Sequence, residues 1–130
     1  MNKIYNIFLD NIKIGTTQFE KADAPMGIVF GLIDFIDSKF GYDFIKSYCL
    51  KNQIDIVADY PENKLISTTS IKGLKVTNTN GVEIKGSGNQ IDGMDSEGFE
   101  IIIEGISYPF YGEEFSNHVK EEKNRYKNKK

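Results

Sequence analysis

The sequence has few of the residues from which catalytic and metal centres are usually built. Its 130 residues include one histidine, His118, one cysteine, Cys49, and no tryptophan. A closed zinc shell takes several Cys and His ligands, so the residue counts exclude it. With a single cysteine no disulfide can form within the chain, which is unusual for a small secreted domain and favours a reducing compartment. We therefore expect no metal, no cofactor and no disulfide.

Long apolar runs are also absent. No stretch approaches the ~20 apolar residues that span a membrane, and residues 1–9 are too interrupted for the apolar core of a signal peptide. We therefore expect a cytoplasmic protein that does not enter a membrane. Fifteen lysines against one arginine, with many Ile and Asn residues, are typical of an AT-rich bacterial genome.

The length and composition predict one folded unit. The hydrophobic content of 39% is enough for a single core. We expect one domain over residues 1–119. The basic remainder, 120–130, has almost nothing to bury, which predicts a frayed tail.

Strand formers and turn residues alternate through much of the chain. Asp10-Asn11 and Asn80-Gly81 each separate two such runs, and both pairs favour a two-residue hairpin turn. The apolar run 27–37 predicts a buried central strand that bends at Gly31. Residues 99–106 alternate apolar and acidic side chains, which indicates a strand with one wet face.

Helical spacing occurs in one segment, 38–52. Its apolar residues recur on one side of a helix, and they are Phe40, Phe44, Ile45, Tyr48 and Cys49. The glycine-rich stretches 86–90 and 93–98 are typical of loops, and a short C-terminal helix can dock through Phe115 and Val119. The prediction is an α+β fold: a mostly antiparallel sheet of about six strands with one main amphipathic helix (about 38–52) and a short C-terminal helix.

Charge is distributed unevenly along the chain. Residues 1–118 carry 17 acidic and 10 basic side chains, a net charge of −7, whereas residues 119–130 have a net charge of +4. The 34 residues from 86 to 119 contain no Lys or Arg. Such a field attracts a basic protein and repels nucleic acid. We therefore expect a basic protein partner and no nucleic acid, although an ordinary solvated strand face would have the same composition.

The acidic region predicts a partner-binding surface with an aromatic anchor. Its candidate residues are Asp92, Asp95, Glu97, Glu100, Tyr111, Glu113 and Glu114.

Two motifs in the same region resemble ligand sites but depart from them. Asp92–Gly98 fails the EF-hand pattern, because counting from Asp95 puts Phe99 where an oxygen ligand is needed. Gly86–Ile91 begins like a dinucleotide fingerprint but ends in isoleucine and follows a hairpin. Both are interpreted as turns.

Two other classes of function stay open at this stage. A small hydrolase or lyase could use paired carboxylates such as Asp95 and Glu97, or His118 with Glu114. For His118 we favour an ordinary surface histidine. The other alternative is a homodimeric structural or adaptor domain that pairs an exposed strand edge.

The C-terminal third also carries a family resemblance. The pattern Gly93-Met94-Asp95-x-x-Gly98-Phe99-Glu100-Ile101, followed by Tyr108-Pro109-Phe110-Tyr111, resembles small bacterial immunity proteins that accompany polymorphic and contact-dependent toxins. The resemblance implies a non-enzymatic protein that binds a toxin domain and blocks its active site or substrate path. If the toxin is a nuclease, the acidic surface would take the place of the phosphates that the toxin binds.

Overall fold

The computed structural model describes residues 3–127, with side chains to Arg125. Its strands are β1 (Tyr5–Leu9), β2 (Ile12–Thr17), β3 (Lys21–Asp23), β4 (Ile28–Leu32), β5 (Asp34–Phe35), β6 (Ile56–Tyr60), β7 (Leu65–Thr68), β8 (Leu74–Thr77), β9 (Gly88–Met94) and β10 (Gly98–Glu104). Its helices are α1 (Tyr42–Lys51), α2 (Phe110–Glu114) and α3 (Ser116–Lys127). Short 3₁₀ turns cover Ala24–Met26 and Pro61–Asn63.

The α+β class is confirmed, but the strands form two antiparallel sheets and not one. The smaller sheet has the order β5-β2-β1-β8, and the larger has the order β3-β4-β10-β9-β7-β6. Apolar side chains from both sheets and the helices meet in one core, which includes Ile7 and Val76 from the smaller sheet and Ile91 and Ile101 from the larger. Strands such as β1 and β10 bury alternate residues in this core and turn the others outward.

The chain crosses between the sheets within the segment predicted to be one buried strand. The Ile33 amide donates to the Phe99 carbonyl in the larger sheet at 2.8 Å, and the Ile36 amide donates to the Ile14 carbonyl in the smaller sheet at 3.0 Å. Gly31 allows this approach, since a Cβ there would lie 2.5 Å from Thr17 Oγ1. The segment is thus divided into β4 and β5.

The first hairpin has the predicted turn. Asp10 and Asn11 have φ angles of 58° and 93°, the positive values that a tight turn between twisted strands requires. The second predicted hairpin is shorter than expected. Beyond β8 it contains one isolated bridge, Thr77 to Glu83, and the Ile84 amide donates to the Val76 carbonyl at 2.8 Å.

The main helix is confirmed, with a later start than predicted. Residues before Tyr42 form a turn in which Asp37 Oδ1 accepts from the Lys39 amide at 2.9 Å. Ile45 and Cys49 face the core, as the periodicity indicated.

The prediction of loops at 86–90 and 93–98 is wrong for most of these residues. Gly88–Met94 forms β9, which pairs with β10 on one side and β7 on the other. Two-sided pairing satisfies the backbone and outweighs the poor strand propensity of Gly and Asn. Asp92 consequently lies on a central strand.

The predicted frayed tail is helical as far as the structure describes it. Phe115 is buried and Val119 packs against the core, as expected, and α3 continues to Lys127. Residues 128–130 of the predicted tail lie outside the described residues.

The edges of the larger sheet are irregular. At one end β3 has only three residues. At the other end, the register of β6 against β7 shifts between Ile56 and Ala58, so Val57 forms a bulge and is 68% exposed.

Candidate functional site

The candidate site is the surface of the larger sheet that points away from the core, here called the outer face. Its apolar members are Ile28, Phe30, Leu32, Leu65, Met94 and Ile102, and its acidic members are Asp23, Asp92, Glu100 and Glu104. None of the apolar members belongs to the buried core cluster. The outer face therefore combines partly exposed apolar side chains, of which Leu32 is the most exposed, with negative charge.

Two carboxylates stand side by side at the centre of the outer face. Asp92 in β9 is in register with Glu100 in β10, and Glu100 is in register with Leu32 in β4. Like charges directly opposite each other destabilise a sheet. Leu32, next to Glu100, is 55% exposed. An apolar side chain is therefore accessible beside the two carboxylates.

One lysine belongs to the outer face among the described residues. Lys21 Nζ lies 3.4 Å from Glu100 Oε2 and 5.9 Å from the centre of the Phe30 ring. This exposed ion pair contributes little stability. The pair therefore offsets the charge of Glu100 only in part, and no lysine of the described side chains lies within 4.0 Å of Asp92 or Glu104, so the outer face stays negatively charged.

The turn between β9 and β10 holds two further predicted residues in different roles. Asp95 Oδ1 accepts a hydrogen bond of 2.9 Å from the Tyr42 amide at the start of α1, and the Asp95 amide donates to the Lys64 carbonyl at 3.1 Å. Asp95 is therefore a structural cap. Glu97 is exposed in the same turn, at the rim of the outer face.

The prediction that Tyr111 anchors a partner is wrong. Its side chain is 0% exposed, and its hydroxyl donates to the Ile28 carbonyl at 3.0 Å. Residues 110–114 form a helix and not an extended segment, so the ring turns fully into the core. Burial raises the pKa of Tyr111 above its ordinary value.

Glu114 is also a structural residue and not part of the outer face. Its carboxylate accepts from the Tyr5 hydroxyl at 2.9 Å and from Asn78 Nδ2 at 3.1 Å, and it lies 3.6 Å from Lys3 Nζ. Its side chain is only 12% exposed. Burial, reinforced by this carboxylate, raises the pKa of Tyr5. The neighbouring Glu113 is exposed on α2.

The interpretation of His118 as a surface residue is wrong. Its side chain is 6% exposed, and Nε2 lies 2.6 Å from the Phe19 carbonyl oxygen. This contact makes Nε2 the protonated nitrogen when the ring is neutral. Phe19 has a positive φ of 44°, so the histidine holds a loop in an uncommon conformation.

His118 also lines a cleft of about 330 Å³ with two glutamates, Glu20 and Glu121. Such a cleft is where the hydrolase hypothesis would place its chemistry. However, Glu20 Oε1 accepts from the Leu32 amide at 2.6 Å, and Glu114 binds Tyr5 instead of His118. Among the described side chains, His118 makes no hydrogen bond to a nucleophile. The pairing of His118 with Glu114 does not form.

A second polar cluster joins α1 to β6. The Tyr42 hydroxyl and Lys46 both donate to Asp59, with Lys46 Nζ 2.9 Å from Asp59 Oδ2. These hydrogen bonds lower the pKa of Asp59, and its carboxylate raises the pKa of Lys46. A lysine held in its charged form is not a nucleophile, and the cluster links α1 to β6 through these hydrogen bonds.

The one thiol of the chain, Cys49, lies in the core. Cys49 is fully buried, as predicted, and burial raises the pKa of its thiol, which keeps it unreactive.

In residues 3–125 no group of three or more His, Cys, Asp or Glu side chains is placed to hold a metal. Over the same part of the chain, no helix has the length and apolar character needed to cross a membrane.

Comparison with protein-family models, with curated proteins and with solved structures gives no match.

The structure thus brings together some of the predicted residues and adds others. Asp92 and Glu100 share the outer face, with Glu97 at its rim; Tyr111 and Glu114 do not. Sequence reasoning missed Leu32, because it assigned the whole apolar run to the core. It also missed Lys21. Buried Val29 and exposed Leu32 lie on opposite faces, as strand periodicity requires, but residues 28–33 contain no polar side chain that would mark the exposed face.

Proposed function

We propose that this protein is a binding module whose outer face docks onto a basic protein surface, and that it acts by occlusion. The main support for this proposal is that Asp92 and Glu100 are paired at the centre of the larger sheet, beside the exposed side chain of Leu32. A repulsive pair in that position costs stability. A basic partner that supplies ammonium or guanidinium groups would remove that cost.

The composition of the outer face supports a protein partner in particular. Protein interfaces use aromatic and aliphatic side chains as anchors beside polar groups, and Phe30, Leu32 and Ile102 lie in neighbouring strands next to the carboxylates. A polyanion would be repelled, whereas a basic surface with small apolar projections matches both the charge and the pattern of side chains.

The resemblance to immunity proteins indicates which class of basic protein the outer face would bind. An acidic face that covers the basic active site of a toxin domain would block substrate access without any catalysis. The partner would then be a toxin domain made by the same cell. This assignment predicts a gene for a large secreted toxin immediately upstream.

The test uses the purified partner domain encoded by that upstream gene and two matched double variants. Asp92→Lys with Glu100→Lys reverses the centre of the outer face. Asp55→Lys with Glu62→Lys makes the same change in net charge at exposed positions elsewhere. We expect the first variant to lose binding in calorimetry and to stop protecting cells from the toxin domain, while the second binds and protects like the wild type.

Oxidative footprinting gives an independent readout of the surface used. In the complex, labelling of Leu32 and Met94 should fall, whereas that of exposed Leu50 in α1 should not change. Equal loss of binding in both double variants, or protection at Leu50 instead of Leu32, would contradict the proposal.

A further inference from the structure

A second charged feature lies away from the outer face and has the opposite sign. Several lysines of the described chain are neutralised by nearby carboxylates: Lys3, Lys21, Lys46 and Lys64 lie 3.6, 3.4, 2.9 and 3.2 Å from carboxylate oxygens. Lys72, Lys75 and Lys85 are among the lysines that have no carboxylate oxygen within 4.0 Å in the described part of the chain. Lys13, Lys39, Lys51, Lys120 and Lys123 are also unpaired among the described side chains, but they lie at separate positions, whereas Lys72, Lys75 and Lys85 lie together.

These three lysines line one shallow cleft of about 340 Å³, here called the lysine cleft. Lys72 lies in the turn before β8, Lys75 projects outward from β8, and Lys85 lies in the segment that returns alongside it. All three side chains are exposed.

The backbone under the lysine cleft is fixed by hydrogen bonds. The Leu74 amide donates to the Ile71 carbonyl at 3.1 Å, and the Ile71 amide donates to the Asn89 carbonyl at 2.8 Å. The Ile84 amide donates to the Val76 carbonyl at 2.8 Å. The three lysines therefore extend from segments whose backbones are held together by hydrogen bonds.

The rest of the lining is suited to an anion. Ser70 and Ser87 are exposed and contribute hydroxyl groups that can donate, and buried Ile71 and Leu74 form part of the floor. Glu83 is the one carboxylate in the lining, so positive charge prevails there by three groups to one.

We propose that the lysine cleft binds a small phosphate-bearing anion. Three ammonium groups around one hollow repel one another, and a multivalent anion relieves that repulsion while accepting charge-assisted hydrogen bonds. The volume suits a small molecule. A nucleic acid fits less well, because residues 1–118 carry a net charge of −7 and repel an extended polyanion.

The experiment titrates inorganic pyrophosphate into the full-length, isotope-labelled protein and follows the backbone amide resonances, with affinity measured by calorimetry. We expect saturable shifts confined to residues 70–75 and 83–89. Lys72→Gln with Lys75→Gln should weaken binding by about tenfold or more, as removal of charged hydrogen bonds requires. The control, Lys39→Gln with Lys120→Gln, removes the same charge at exposed positions outside the lysine cleft and should change affinity by less than about twofold.

Shifts spread over all lysines, no saturation, or equal weakening in both double variants would overturn the proposal. So would a single-stranded DNA oligonucleotide that binds the same residues more tightly than pyrophosphate does. Binding of the basic partner does not involve these lysines, so the pyrophosphate result and the test of the outer face can fail independently.

Discussion

The carboxylate of Asp95 caps a helix that begins 53 residues earlier in the chain, through a hydrogen bond of 2.9 Å to the Tyr42 amide. The residue at the cap position itself is Gly41, which has no side chain to accept such a bond. A Cβ at Gly41 would lie 2.7 Å from Asp95 Oδ1. The missing side chain of one residue thus makes room for the carboxylate of the other.

Replacing this distant cap should destabilise the protein. Asp95→Ala leaves the first amide of α1 without its acceptor, and loss of a cap typically costs about 1 kcal/mol of unfolding free energy. Urea denaturation measures the change. Glu97→Ala, in the same turn but exposed, is the matched control and should stay within about 0.5 kcal/mol of the wild type. Equal effects of the two changes would show that Asp95 is not a cap.

Two adjacent glutamates should differ sharply in their contribution to stability. Glu114→Ala removes the acceptor of the Tyr5 hydroxyl and of Asn78, and leaving such groups unsatisfied costs about 1–3 kcal/mol. Glu113→Ala changes an exposed side chain and should cost no more than about 0.5 kcal/mol. Unfolding free energies that change by the same amount would argue against the buried role of Glu114.

Removing one charge at the centre of the outer face should stabilise the folded protein. Asp92→Asn keeps the shape of the side chain and relieves its repulsion with Glu100, a pair effect of about 0.2–1 kcal/mol. The same variant should bind the basic partner more weakly. A decrease in thermal stability with unchanged partner binding would count against both the repulsion and the proposed use of this face.

Stability should fall at alkaline pH through Tyr48. Burial, with a contribution from the Asp10 carboxylate, raises the pKa of Tyr48 to about 12, whereas an unfolded tyrosine has a pKa of about 10. Between these values the unfolded chain releases a proton that the folded protein retains, so the unfolding free energy decreases as pH rises. Urea titrations across this range should show a shallower decrease for Tyr48→Phe. An unchanged slope would exclude Tyr48 as the source.

Local signals were sufficient where neighbouring residues decide the structure. Asp10 and Asn11 tolerate positive φ, and the spacing of Ile45 and Cys49 matches a helix, so both the first hairpin and α1 could be predicted. The strand β10 was predicted from its alternation. In each case the pattern and the fold depend on the same few residues.

Contacts between distant parts of the chain decided the rest. The strand β9 has weak propensity and exists because β7 and β10 pair with it. The burial of His118 depends on the Phe19 carbonyl, and that of Tyr111 depends on a helical turn after Pro109. The acidity of the candidate site could be predicted from the sequence. The set of carboxylates that share one face could not, because it depends on the register of Asp92 with Glu100.

The extra residue at Val57 has a consequence for behaviour in concentrated solution. An edge strand with evenly spaced unpaired amides and carbonyls can form hydrogen bonds with the edge strand of another molecule. Repetition of this pairing produces aggregates. The bulge breaks that spacing in β6, and β3 is too short to offer it. Edge-to-edge pairing is thereby disfavoured at both ends of the larger sheet, which leaves association to the side chains on its outer face.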